Sequence, residues 1–153
     1  MKTILRLVLV IIVLSGCGVD KRYQPDNDNL TIQNKYSSDQ INFDIFMIDY
    51  DDFEELIKDK YNGLILLSRS DCPFCVENFS TLVSVLNTNE DFRFYEILIM
   101  ETDELDDESK KLISDEYSIN FVPTTLIMEE GKIEEIVVGL LSTDQIIKIM
   151  KGN

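Results

Sequence analysis

The sequence predicts an α/β fold, a mixed central sheet with helices on both faces. Three features predict it. From Ile41 onward, apolar runs of strand character alternate with stretches whose apolar residues recur at helical spacing. One handover, from Leu64–Ser68 into the stretch after Cys72, carries two cysteines spaced C-x-x-C. Two more strand-like runs flank Glu129-Glu130-Gly131, and a last helix opens at Ser142. The resulting order is β-α-β-α-β-α-β-β-α.

Phe43 to Ile48, aromatic and β-branched, is the first expected strand. Asp51 with Glu54 marks an acidic helix start, and Phe53, Leu56, Ile57 and Tyr61 supply its buried stripe. Gly63 is expected to end that helix, and Leu64 to Ser68 to form the central apolar strand. Behind Cys75, Phe79, Leu82, Val83 and Leu86 share one helical face until Asn87-Thr88-Asn89 stops it. Phe92 to Met100 reads as a strand and Glu101 to Glu108 as an acidic loop. A helix to Tyr117 then buries Leu112 and Ile113. Pro123–Met128 and Lys132–Val138 form the hairpin. Ser142 and Gln145 stand at capping-box spacing, ahead of an apolar face of Ile146, Ile147 and Met150.

The chain has 153 residues and a hydrophobic fraction of 44%, enough for one core without a structural metal. It contains no histidine, which removes imidazole metal sites and Ser-His or Cys-His nucleophile pairs. A net charge of −15, with no basic stripe and no Gly-rich phosphate loop, argues against nucleic acid as a partner. No cofactor is implied. Its three cysteines are an odd number for a disulfide framework.

The N-terminus accounts for the odd one. Lys2 and Arg6 precede an unbroken apolar run from Leu7 to Leu14, the layout of a secretory signal too short for a membrane span. Leu14-Ser15-Gly16-Cys17 resembles the lipobox of bacterial lipoproteins. That resemblance implies cleavage after residue 16 and a diacylglyceryl group on the Cys17 sulfur, with a further palmitate-like chain on the new amino group. The residues also admit an uncleaved anchor, or a secretory peptide with an incidental cysteine. Each reading exports the domain to an oxidising side of the membrane. Loss of residues 1–16, which hold Lys2 and Arg6 and no acid, takes the net charge from −15 to −17. Residues 17–40, polar with Pro25, read as the lipidated cysteine and a flexible linker, and 41–153 as one domain expected to be monomeric.

The pair Cys72 and Cys75 sits where a strand hands over to a helix N-terminus, whose free N–H groups and dipole favour a thiolate. Cys72, at the exposed end, is the expected attacking thiol, and Cys75, one turn deeper, the resolving one. Pro73 suits the first helical turn, where a missing N–H costs nothing. Asp71, Pro73 and Phe74 are the expected tuning residues, Asp71 by disfavouring a neighbouring thiolate. Taken alone, the pair also fits a static structural disulfide. No further Cys or His completes a zinc site, and no metal is expected.

The element order with C-x-x-C at the second helix resembles the thioredoxin fold, over roughly residues 43–151. Tyr117-Ser118-Ile119-Asn120-Phe121-Val122-Pro123-Thr124-Thr125-Leu126 resembles the thioredoxin segment that carries the cis-proline. Glu130-Gly131-Lys132, Val138-Gly139 and the Ser142 helix follow at the family's spacing. The resemblance implies a cis Val122–Pro123 bond lying against the cysteines, with the Val122 backbone left to pair with a substrate strand.

The sequence also departs from thioredoxin. Asp71 stands for its Trp, Pro73-Phe74 for its Gly-Pro, and Leu66 for its buried Asp six residues before the first cysteine. The layout and the Ser70-Asp71-Cys72-Pro73 site are similar to lipid-anchored thioredoxin-like proteins of the bacteriocin transport accessory type. The expected activity is thiol–disulfide exchange on exported proteins or peptides from the outer face of the bacterial cell membrane. Oxidase or isomerase use is favoured, with a membrane redox partner. The alternative is a non-catalytic binding module that presents its acidic surface to a cationic partner or an export machine.

Overall fold

A computed structural model describes residues 44–89 and 96–151. The signal, Cys17, the linker and Phe92–Tyr95 of the expected third strand lie outside the described residues. The order is β1 (Asp44–Met47), α1 (Tyr50–Lys58), β2 (Gly63–Ser68), α2 (Pro73–Asn87), β3 (Glu96–Glu101), α3 (Asp107–Tyr117), β4 (Thr124–Glu129), β5 (Lys132–Val138) and α4 (Thr143–Lys151). This is the order expected from the sequence. The strands lie β1-β3-β2-β4-β5, with β1, β3 and β2 mutually parallel and β4 antiparallel to both β2 and β5. Among the described residues no helix is long and apolar enough to cross a membrane.

Side-chain alternation along the strands builds two cores. Leu64, Leu66, Ile97, Ile99 and Ile127 face α2 and α4, where they meet Phe79, Leu82, Leu86, Ile146 and Met150. Ile65, Leu67, Leu98, Met100, Leu126 and Met128 face α1 and α3, against Phe53, Leu56 and Ile113. The central strands β2 and β3 are buried from end to end, because helices cover both faces. Each fully buried Leu or Ile there contributes roughly 1.5–3 kcal/mol relative to an exposed one.

Several boundaries differ from expectation, each for a local reason. The first strand stops at Met47, although the Ile48 N–H still donates to Ile99 O. Asp51 stands in the first turn of α1, as expected, and the cap ahead of it is Asp49. Its side chain accepts from Asp52 N while the Asp52 carboxylate accepts from Asp49 N, a closed capping box. That helix ends at Lys58, and Lys60 takes the left-handed conformation (φ 58°) expected of Gly63. Gly63 instead opens β2, where a Cβ would fall 2.1 Å from the Tyr61 hydroxyl oxygen. Glu101 belongs to β3, paired with Ser68 and buried, and is not part of the acidic loop. In α4 Ile149 is buried, while Ile147 is only partly so.

The hairpin turn is Glu130-Gly131, both residues at positive φ (51° and 71°), the pattern that matches the twist of the flanking strands. Gly131 is required twice over. Its φ favours glycine, and a Cβ would meet Ile57 O at 2.2 Å.

Candidate redox site

β2 ends at Ser68, and a three-residue turn leads into α2, with Cys72 as its N-cap. Cys72 has extended dihedrals (φ −93°, ψ 109°), and its N–H donates to Arg69 O at 3.2 Å. Its sulfur accepts from Cys75 N–H at 3.2 Å, so it occupies the position a capping oxygen takes at other helix starts. Pro73 follows at the first helical position, as the sequence predicts. Cys72 and Cys75 are disulfide-bonded, with Cα atoms 5.3 Å apart.

Cys72 is more buried than expected, at 8% exposure against 2% for Cys75. Its sulfur is turned back over the first turn of its own helix and does not project into solvent. Asp71, Pro73 and Phe74 around it are exposed. The ordering of the two thiols survives: Cys72 is the more accessible and Cys75 the deeper.

Asp71 does not stand alone beside the pair. The Arg69 guanidinium pairs with it through Nε, and both side chains are well exposed. The ion pair offsets part of the repulsion that Asp71 would otherwise exert on a thiolate. Ser70 Oγ donates to Asp103 Oδ2 at 2.8 Å, tying the turn to the β3–α3 loop.

The Val122–Pro123 peptide is cis. Thr124 is the partner of Leu67, so Pro123 lies level with the end of β2, where the chain turns toward Cys72. Pro123 O accepts from Gly139 N at 2.8 Å, and Thr124 Oγ1 donates to Phe121 O at 2.7 Å. Beside this loop lies a cleft of about 480 Å³. Leu67, Leu105, Ile113 and Ile119 give it apolar walls, and Arg69, Phe121 and Val122 also line it. Neither Cys72 nor Cys75 lines the cleft.

One residue near the site was not foreseen. Asn78, 1% exposed, follows Cys75 by three positions on the same helix face, and its Oδ1 accepts from Leu141 N at 2.8 Å. It ties α2 to the loop between β5 and α4. Its place on the stripe of Cys75, Phe79 and Leu82 was the available signal, since a polar residue there is either paired or costly.

A family model described as a thioredoxin-like domain matches residues 50–152. The chain belongs to that family. Solved thioredoxins share the fold. The thioredoxin of Malassezia sympodialis is 17% identical with a TM-score of 0.53, over 72% of this chain and 91% of that one. Mitochondrial thioredoxin 3 of Saccharomyces cerevisiae, in its oxidised form, is 19% identical with a TM-score of 0.53, over 76% and 97%. Spinach chloroplast thioredoxin f is 16% identical with a TM-score of 0.52, over 72% and 94%. No curated protein sequence matches the chain. The thioredoxin-like fold with its bonded Cys72–Cys75 pair supports thiol–disulfide oxidoreduction.

Proposed function

We propose that this thioredoxin-like protein is a membrane-tethered thiol–disulfide oxidoreductase acting on exported proteins or peptides. The observation that carries the chemistry is the bonded pair at the head of α2, one sulfur more accessible and the other a helical turn deeper. In the oxidising direction a substrate thiolate attacks Cys72, and Cys75 leaves as the thiolate. A second substrate thiolate then attacks the mixed disulfide and releases the Cys72 thiolate, leaving substrate oxidised and enzyme reduced. The helix N-terminus stabilises the Cys72 thiolate as it departs, because its sulfur already accepts the Cys75 N–H.

The tether and the extracytoplasmic placement rest on the lipobox-like Leu14-Ser15-Gly16-Cys17. An oxidising compartment favours disulfide formation or isomerisation over reduction, with a membrane redox partner returning the pair to its oxidised form. No hydrogen bond to the Val122 backbone is present among the described residues, which suits strand-like pairing with an extended substrate.

The test is a trap. Cys75→Ser in cells should accumulate mixed disulfides between Cys72 and exported proteins, visible as reducible adducts, and Cys72→Ser should accumulate none. Equal patterns from both variants, together with an intact population of exported disulfides, would sink the enzymatic reading. Labelling with a radioactive fatty acid, lost in Cys17→Ala, tests the anchor separately.

A further inference from the structure

Apart from Asn78, the buried residues of α2 are apolar or cysteine. A leucine in its place would continue the stripe of Phe79 and Leu82 with no polar atom to satisfy. Instead the chain buries a carboxamide whose Nδ2 has no hydrogen-bond partner among the described residues. Such a donor is costly, and packing alone does not require it. What the carboxamide supplies is Oδ1, the buried acceptor of the Leu141 N–H at 2.8 Å.

Leu141 belongs to a short segment held at three points. Gly139, at φ 96°, bends the chain away from β5, and its N–H donates to Pro123 O at 2.8 Å. A Cβ on Gly139 would meet no atom within 4 Å, so this glycine answers to the bend and not to crowding. Two residues on, the Leu141 N–H reaches Asn78. The Ser142 N–H then donates to Gln145 Oε1 at 2.9 Å, where α4 begins. The outer two bonds join the segment to the cis-proline loop and to its own helix. The middle one joins it to the helix of the cysteines.

We propose that Asn78 is a positioning residue for exchange with polypeptides. Its Oδ1 holds the Gly139–Leu141 segment, and through Gly139 the Pro123 carbonyl, in a fixed place relative to the cysteine helix. The inference rests on the redox reading above and adds to it a residue that acts through backbone. The parts to be aligned come from different strands. Cys72 and Cys75 follow β2, the cis-proline loop leads into β4, and the exposed Val138 and Leu140 lie where β5 ends. A polypeptide that spans these parts reacts fast only when they stand in register, whereas a small dithiol needs the cysteines alone.

The experiment compares two probes. The rate at which the oxidised protein oxidises reduced, unfolded ribonuclease is divided by its rate with dithiothreitol. The ratio cancels any change in the intrinsic reactivity of the pair. Asn78→Leu, close in size and without an acceptor, should lower the ratio about tenfold, the worth of one buried hydrogen bond. The amides of Leu141 and Gly139 should lose their protection from hydrogen exchange together. Asn78→Asp keeps an oxygen at the place of Oδ1 and should restore both readouts. Gly139→Ala disturbs the same segment from its other end, where the added methyl meets no atom within 4 Å. It should lower the ratio by itself and add little to Asn78→Leu. A ratio that either variant leaves unchanged overturns the proposal, as do effects of the two that simply multiply. If the wild-type protein oxidises neither probe while Asn78→Leu still exposes both amides, the tie stands and the oxidoreductase reading falls.

Discussion

The two ends of the sheet are built to opposite rules. At the end away from the cysteines, the chain is bolted together by backbone. Gly131 N donates to Tyr61 O at 3.0 Å, and Glu130 N to Asn62 Oδ1 at 2.9 Å, so the β4–β5 turn is clamped onto the end of α1. At the cysteine end, large apolar side chains stand in solvent. Phe74 is 61% exposed and Phe121 71%, and Val138 and Leu140 flank the Gly139 that bonds Pro123. One end holds the fold, and the other leaves apolar surface beside a reactive bond, where a polypeptide can cover it.

The contrast makes predictions that separate stability from reactivity. The largest effect on stability is expected at the clamped end. Gly131→Ala forces a Cβ to within 2.2 Å of Ile57 O at a left-handed φ, and should cost about 3 kcal/mol or more. Chemical denaturation of the oxidised protein measures the loss, and the reduction potential of the pair should not move. A shifted potential would mean that the two ends are coupled.

Asn78→Ala comes next. It strips the Leu141 N–H of its acceptor, for a loss of about 1–3 kcal/mol. Because Asn78 lies three residues beyond Cys75, the reactivity of the pair should change with it. Denaturant midpoints and alkylation rates, read on the same sample, decide whether it belongs to the scaffold alone.

Phe121→Ser should leave stability within about 0.5 kcal/mol, since an exposed ring contributes little to the fold. It should slow exchange with an unfolded polypeptide and leave exchange with a small dithiol unaltered. Equal slowing of both would show that the exposed ring shapes the cysteines and not the contact with substrate.

The smallest effect is a titration. Burial, then the charge of Glu116, holds the Tyr117 phenol above the ordinary tyrosine range, and burial does the same for Tyr50. A phenol whose folded value is raised gives its full stabilisation below the unfolded value, about 10. That contribution is lost as pH climbs through the folded value. The share of stability that these two phenols supply should therefore decline only in strongly alkaline solution. Tyr117→Phe should flatten the decline, as followed by denaturation across that pH range.

The element order was legible because strand alternation and helical stripes are strong, local signals. What failed was placement within acidic runs. Asp49, Asp51, Asp52 and Glu54 all suit the first turn of a helix, and only the reciprocal bonds of Asp49 and Asp52 single out the cap. Glu101 opens a run that reads as solvated loop through Glu108. Its pairing with Ser68, a contact across 33 positions, carries it into the sheet instead. Gly63 resembled a helix stop because glycine serves both left-handed turns and close approaches, and the Tyr61 ring that demands the second use is a matter of packing. At the site, the C-x-x-C pair and Pro73 declared themselves locally, whereas the cis bond came from the family resemblance alone. Asn78 and its bond to Leu141 depend on two segments 63 positions apart and left only the stripe as a hint.

The outer strand β5 sets a rule for company. It lies at the border of the sheet, with Glu134 and Glu135 side by side on an exposed stretch that also shows Ile136 and Val138. Two copies meeting border to border would bring these carboxylates against their own counterparts, and like charges held opposite each other repel. A register irregularity between Ile127 and Met128 further spoils the flatness that stacking of strands requires. The border thus discourages association with its own kind, even where many copies are crowded together.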